Sequence, residues 1–500
     1  MIKVFCNQKE KDLKNFWGHI VFHPTNAIED DWGKAYLDKI AEDGAAKTVR
    51  IYSMFEEIVT LDENGEMQFD FSKNDYRIDY LLSKGFDLMI VYAFIPPWLS
   101  AEQDDKLIKP RYKNVYFHKS YASDYSKWEE ICRVYTQHLV DRYGEDTVAK
   151  WPIHCYNEPD LPYFFYWNAE NDYVARAKEY CKLYDGFEAG VTSVSKKIRI
   201  GGCGLSEGLT HFEFLEYFLR HVKKTGKKFD FLSYHSYGTF FDQANAGIRP
   251  LNAYDSYPNT LTVKKIADMC GFKDIPLICD EWGGATDGYF GMDKCPMFEF
   301  RENELYSAYY AKLLTYYDES VIDQDLLMIC LSGQHDLKED LMGHRNFFSK
   351  SFYPKPIFNA HVLANKLGDE KLCHYVDLQE ERISIMPSRH TSDGHISALL
   401  CYADPAFAAN LPEKTFDTVF EGLDKEYKVV KYVIDKTHAN CYTKFCELGK
   451  PQDASEEIKE EIRRAGALVA EDAGTVSPEN NVLTLTMENN AVVLLELMPA

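Results

Sequence analysis

Between about residue 15 and residue 367 the chain alternates short apolar runs with longer amphipathic stretches, a pattern that predicts a parallel sheet with helical crossovers. The apolar runs lie near 17–22, 47–52, 86–94, 150–157, 197–202, 229–235, 275–281 and 325–331, and most are rich in Val, Ile, Leu and aromatic residues. That composition suits strands covered on both faces. Between two of them, Trp128 to Tyr143 places Ile131, Val134, Tyr135, Leu139 and Tyr143 on one helical face, and Gly144 follows as a stop. Eight strand–helix units over this length predict an α/β fold, a (β/α)8 TIM barrel. An open doubly wound sheet would show a glycine-rich phosphate loop after its first strand, and here that place holds His23-Pro24-Thr25-Asn26. After Gly368 the period shortens. Runs at 381–386, 396–402, 427–434, 482–487 and 491–497 predict a C-terminal β-sandwich, interrupted by one charged helix at 455–467. The expected domains are therefore a barrel over 15–367 and a sandwich over 368–500, with residues 1–14 adding an edge strand.

Two domains also suit a chain of 500 residues. A formal net charge of -23 argues against nucleic acid and against an anionic membrane as partners. No run of about 18 apolar residues predicts a membrane span, and the N-terminus has no secretory apolar core. The 13 cysteines are dispersed without a Cys-x-x-Cys pair, which speaks against a zinc ribbon and for a reducing cytoplasm. A sandwich packed on a barrel can also serve as a homo-oligomer contact.

The candidate chemistry lies at two strand ends. Glu158 closes the run Trp151-Pro-Ile-His-Cys-Tyr-Asn-Glu-Pro-Asp160, and Glu281 closes Pro276-Leu-Ile-Cys-Asp-Glu-Trp-Gly-Gly284. Carboxylates at the C-terminal ends of barrel strands stand where such folds place their chemistry. A facing pair suits glycoside hydrolysis, one as acid/base and one as nucleophile. Pro159 is expected to hold Glu158 extended. Asp280 and Glu281 are adjacent, so strand alternation is expected to send only one to the barrel mouth, and Glu281 is assigned there. Asn157 suits a sugar 2-hydroxyl. Arg50, His235 and Tyr237 are candidates to hold an ionised nucleophile. Phe94, Trp98, Trp282 and the run Tyr163-Phe-Phe-Tyr-Trp167, with Phe165 at its centre, offer aromatic surfaces for sugar rings. Two carboxylates supply both proton and nucleophile, so no cofactor or metal is expected. The predicted partner is an oligosaccharide or small glycoside substrate.

These residues resemble glycoside hydrolase family 39, in the clan of (β/α)8 retaining enzymes that includes β-xylosidases and α-L-iduronidases. The resemblance runs through Phe69 to Leu82, Ala93-Phe-Ile-Pro-Pro-Trp98, Lys127 to His138, Arg142-Tyr-Gly144, the Tyr-Asn-Glu-Pro-Asp segment, Lys355 to Leu363, Tyr432 to Asn440 and Val493 to Leu497. It implies that Glu158 is the acid/base and Glu281 the nucleophile, and that a retaining exo-glycosidase, β-xylosidase-like, works by double displacement through a covalent glycosyl-enzyme. Three departures stand out. Tyr156 replaces a usual tryptophan, and Tyr52 replaces a histidine two residues after Arg50. Met328-Ile-Cys-Leu-Ser-Gly-Gln-His-Asp336 lacks the family's xylosidase signature, leaving Tyr52 and His335 as substrate-binding candidates. The alternatives are another sugar (arabinopyranoside, galactoside or iduronide) or a non-catalytic carbohydrate-binding protein. An iduronide would need a cationic clamp, for which Lys109, Arg111 and Arg345 are candidates.

Overall fold

The computed structural model describes residues 1–500 except 105–106, 111, 166–171, 243, 321, 333–336 and 378–381. Eight parallel strands close into a barrel: His19–Phe22, Thr48–Tyr52, Asp87–Tyr92, Ile153–Cys155, Ile200–Leu205, Phe231–Thr239, Leu277–Ala285 and Gln324–Leu331. They coincide with the eight apolar runs, and we number them one to eight in chain order. Each pairs with its sequence neighbour, and strand eight returns to strand one through Met328↔His19 to Leu331↔Phe22. Side chains pointing into the lower barrel (Val21, Met89, Phe231, Ile278, Met328 and Cys330) form an apolar plug of their own. Outward-pointing side chains join the crossover helices in the main core. Above the plug the interior turns polar, with Arg50, His154, Ser233, His235 and Asp280 all fully buried.

The crossover predicted at 128–143 is the helix Tyr125–Tyr143. The Asp124 side chain accepts from the Ser126 and Lys127 backbone N–H groups, satisfying donors that a helix start leaves open. Gly144 ends it at φ 84°, a conformation that glycine adopts without penalty. Ile131, Tyr135 and Leu139 are buried as the periodicity requires, whereas Val134 and Tyr143 are only half-buried at its margin.

A separate, mostly antiparallel sheet of nine strands follows the barrel. Its core gathers side chains from strands at both ends of the sheet order, such as Val429 and Val476 with Phe416 and Leu485, so the sheet folds over on one apolar interior. The N-terminal strand Ile2–Asp12 is not at an edge, in contrast to the expectation. It runs antiparallel to Glu370–Val376 on one side and parallel to Lys414–Glu421 on the other. Ile2, Val4 and Cys6 alternate into the sheet's core, which gives the strand a face to bury between two partners. The charged helix is Glu456–Ala465, preceded by a second helix, Cys441–Glu447. Both pack through Cys441, Tyr442, Phe445 and Ile462 on Leu341 and Tyr353 of the segment after barrel strand eight. Among the described residues no helix is long and apolar enough to cross a membrane.

That same segment carries Arg345 to the top of the barrel. It is tied down by Lys355, whose Nζ donates to Glu302 Oε1 at 2.8 Å and to the His344 carbonyl at 2.9 Å. Both charged side chains are fully or almost fully buried. Lys355→Met would leave Glu302 charged and unpaired in the interior. The expected loss is about 3–5 kcal/mol of unfolding free energy by chemical denaturation; unchanged stability would show that the pair does not hold this segment.

Candidate active site

Strand two delivers the central charge. Arg50 is fully buried, and its guanidinium reaches three partners across the barrel. Nη1 donates to Glu281 Oε1 at 2.9 Å, and Nη2 donates to Asn157 Oδ1 at 2.8 Å. Nη2 also lies 2.9 Å from Asp280 Oδ2. A buried guanidinium needs this many acceptors to offset its lost hydration.

Asp280 and Glu281 both face inward, against the alternation expected of neighbours on a strand. The cause is a β-bulge in strand seven. Tyr234 pairs with Cys279, but the next residue, His235, pairs with Glu281, so Asp280 has no opposite number on strand six. The ladder to strand eight is interrupted between Cys279 and Trp282 as well. A bulge re-aims the side chains that follow it.

Glu158 is placed by a turn. Its φ is 45°, in the left-handed region, so the extended geometry expected before Pro159 is not what forms. Such a backbone costs about 1–3 kcal/mol and persists only where its surroundings fix it. Here Glu158 N donates to the Gly204 carbonyl at 3.0 Å. Asp160, two residues on, is buried and accepts from the Ser206 backbone N–H, with the His211 ring nitrogen at 2.6 Å. The Glu158 carboxylate then meets His235, whose Nδ1 donates to Oε1 at 2.7 Å. Tyr237, two residues further along strand six, donates its hydroxyl to Glu281 Oε2 at 2.8 Å.

His235 therefore stands between the two glutamates, with Nδ1 3.7 Å from Glu281 Oε2. One polar atom each from Glu158, His235 and Glu281 lies within 4.8 Å of the other two. Such spacing is also found around cations, but here hydrogen bonds from His235, Arg50 and Tyr237 already engage Glu158 Oε1 and both Glu281 oxygens.

The electrostatics divide the pair. Burial raises the pKa of Glu281, but the positive charges of His235, Arg50 and Arg345 outweigh it and hold the group well below the usual carboxylate range. Glu158 moves the other way. Burial, aided by the Glu281 and Asp160 carboxylates, raises it against the pull of His235. One carboxylate is thus kept ionised and the other is inclined to hold a proton, the division that acid/base chemistry requires.

Both glutamates open into a cavity of about 1160 Å³ at the C-terminal end of the barrel. Asn157, Tyr52, Phe94, Tyr237 and Arg345 line it. Tyr52 and Phe94 stack with centroids 5.7 Å apart.

The sequence model of Glycosyl hydrolases family 39 matches residues 1–480. The chain belongs to glycosyl hydrolase family 39. It is 22% identical to a β-xylosidase of Caldicellulosiruptor saccharolyticus, over 95% of this chain and 93% of the relative. It is 23% identical to a β-xylosidase of Geobacillus stearothermophilus, over 99% and 95%. Among solved structures, a monomeric β-xylosidase from Caulobacter crescentus CB15 superposes with a TM-score of 0.84 at 19% identity, covering 100% of this chain and 99% of the other. A bacterial orthologue of human α-L-iduronidase superposes with a TM-score of 0.79 at 15% identity, covering 100% and 84%.

Three aromatic candidates of this family 39 enzyme lie off the cavity. Trp98 donates its Nε1 to the Val59 carbonyl at 3.0 Å and packs half-buried against the main core. Trp282 follows an inward residue and so faces outward, stacked on Tyr310 with centroids 5.4 Å apart. Phe165 is fully buried edge-on against Tyr156, and its neighbours Tyr163 and Phe164 line the cavity instead. His335 and Arg111 lie outside the described residues. Lys109 sits over the Tyr163 ring at 5.0 Å. Sequence reasoning missed the wall after strand five, Ser206, Glu207 and His211, where no motif marks the residues. It also missed His154, whose Nε2 is 3.3 Å from Asp280 Oδ2.

The opposed shifts predict a bell-shaped dependence of kcat/KM on pH. Activity falls on the acid side as Glu281 gains a proton and on the alkaline side as Glu158 loses one. In Arg50→Met the acid limb is expected to move to higher pH and kcat to fall by about 10²-fold or more. An acid limb unmoved in Arg50→Met would mean that this guanidinium does not keep Glu281 ionised.

Proposed function

We propose that this family 39 enzyme is a retaining exo-glycosidase of small β-glycosides, most nearly a β-xylosidase, with Glu281 as nucleophile and Glu158 as acid/base. The observation that carries the reading is the closeness of the two carboxylates, one oxygen of each lying within 4.8 Å of the other. Retaining enzymes hold their pair about 5–5.5 Å apart, whereas inverting enzymes leave about 6.5–9.5 Å for an intervening water. In the first step Glu281 attacks the anomeric carbon, the bond to the aglycone oxygen breaks, and the Glu158 proton goes to that oxygen. In the second step Glu158 takes a proton from water, the new hydroxide attacks the anomeric carbon, and the bond to Glu281 breaks. Arg50 and Tyr237 each hold one Glu281 oxygen, which aims the carboxylate without neutralising it. Arg50 also fixes the Asn157 carbonyl, turning the amide N–H₂ of that side chain toward a sugar 2-hydroxyl. The names of the curated relatives favour xylose as the glycone.

A uronic acid glycoside is the second reading. Arg345 lines the cavity, 7% exposed, with Nη2 donating to Ser332 Oγ at 3.1 Å. Among the described residues it has no carboxylate at ion-pair distance, so a substrate carboxylate would supply one. A cytoplasmic location suits the free cysteines, all buried except Cys373 and Cys446, which are half-buried.

The test is a panel of aryl glycosides (xyloside, arabinosides, galactosides, glucoside, glucuronide) with Glu158→Ala and Glu281→Ala beside the wild type. Xyloside hydrolysis is expected to fall about 10³-fold or more in Glu281→Ala, roughly 4 kcal/mol of transition-state stabilisation. Azide is expected to rescue that variant as the inverted glycosyl azide. Release from the glucuronide alone would select the second reading, and full activity in Glu281→Ala would reject the nucleophile assignment.

A further inference from the structure

One carboxylate inside the barrel has no part in the two displacement steps. Asp280 is fully buried, and the strand-seven bulge aims it at the floor of the site. Its Oδ2 lies 2.9 Å from Arg50 Nη2, 3.3 Å from His154 Nε2 and 3.7 Å from His235 Nε2. The last distance is that of an ion pair rather than a hydrogen bond. His235 Nε2 has no hydrogen-bond partner of ordinary geometry, although it is buried. Its other nitrogen is occupied by Glu158 at 2.7 Å. A neutral imidazole there would leave Nε2 as a buried lone pair beside the Asp280 carboxylate, with nothing to donate to it. An imidazolium directs one N–H to Glu158 and the other to Asp280.

We propose that Asp280 is a positioning residue that keeps His235 in its doubly protonated form, and that this charge sets how firmly Glu158 holds its proton. The proposal rests on Glu158 being the acid/base. The groups facing His235 are Glu158 and His154 from strand four and its turn, Arg50 from strand two, Asp280 and Glu281 from strand seven, and Tyr237 from its own strand. Asn259 donates to the His235 carbonyl at 2.7 Å and fixes the strand backbone there. Burial drives His154 down to about 3, so it stays neutral. At His235 burial acts in the same direction, but the Glu281, Asp280 and Glu158 carboxylates together overcome it and hold the proton. The consequence for catalysis has a definite sign. The imidazolium stabilises Glu158 as a carboxylate, the form left after proton donation and needed to activate water. Remove Asp280 and His235 becomes neutral; Glu158 then grips its proton more tightly.

The experiment combines ¹⁵N-histidine NMR of the full-length protein with pH–rate profiles of the wild type, Asp280→Asn and Asp280→Glu. In the wild type at pH 7 both His235 nitrogens are expected to be protonated. In Asp280→Asn one is expected to lose its proton, and the alkaline limb of kcat/KM to move up by at least about half a pH unit. Asp280→Glu, which keeps the charge, is expected to restore both. A neutral His235 in the wild type overturns the proposal whether or not any variant folds. So does an Asp280→Asn protein that keeps both protons, or whose alkaline limb stays in place or moves down while only stability falls. The spectra are read without turnover, so an error in the role of Glu158 would show separately, as activity retained in Glu158→Ala.

Discussion

The site depends first on the buried guanidinium of Arg50. Arg50 rises from strand two into a barrel interior that is otherwise closed by an apolar plug, and its guanidinium binds Asn157, Asp280 and Glu281 at once. A full charge in such a place is tolerable only with opposite charge and acceptors around it, and two anionic side chains there are tolerable only with a cation between them. Each member is therefore held by the others. The strands that carry them, two, four and seven, are fixed in register by barrel closure, so the charges have little freedom to rearrange.

The bulge at Asp280 makes this arrangement of charge workable. With regular pleating, only one of two consecutive residues would enter the barrel. The extra residue turns both inward, one toward the two nitrogens of Arg50 and His235 at the floor, the other toward the cavity. Glu281 then stands among positive charges, while Glu158, reached from a left-handed turn at the end of strand four, has burial and neighbouring carboxylates against its ionised form. Two groups of the same chemical type thus acquire different proton affinities from position alone.

Much of this was legible in the sequence, for identifiable reasons. The eight barrel strands are covered on both faces, so each reads as a compact apolar run, and Glu158 and Glu281 end two of them beside turn residues. The inward directions of His235 and Tyr237 follow from a spacing of two. What was not legible depends on partners far away in the chain or on broken periodicity. The bulge leaves no mark in Leu277-Ile-Cys-Asp-Glu281, so Asp280 was assigned to the wrong face. Trp282 and Phe165 lie beside residues that do reach the cavity, and one position along the chain exchanges cavity for core. Ile2–Asp12 was expected only at an edge of the sandwich, yet it lies between two strands that come from beyond residue 369. Arg345 enters from a long connection whose course is set by the buried Lys355–Glu302 pair and by helices of the C-terminal part.

The claim on which the mechanism turns is that carboxylates this close act by double displacement. The direct measurement is ¹H NMR of the sugar first released from an aryl β-xyloside, recorded before mutarotation mixes the anomers. Build-up of the β-anomer ahead of the α-anomer is the predicted result. First appearance of the α-anomer would mean that water attacks directly, and would contradict a nucleophilic role for Glu281.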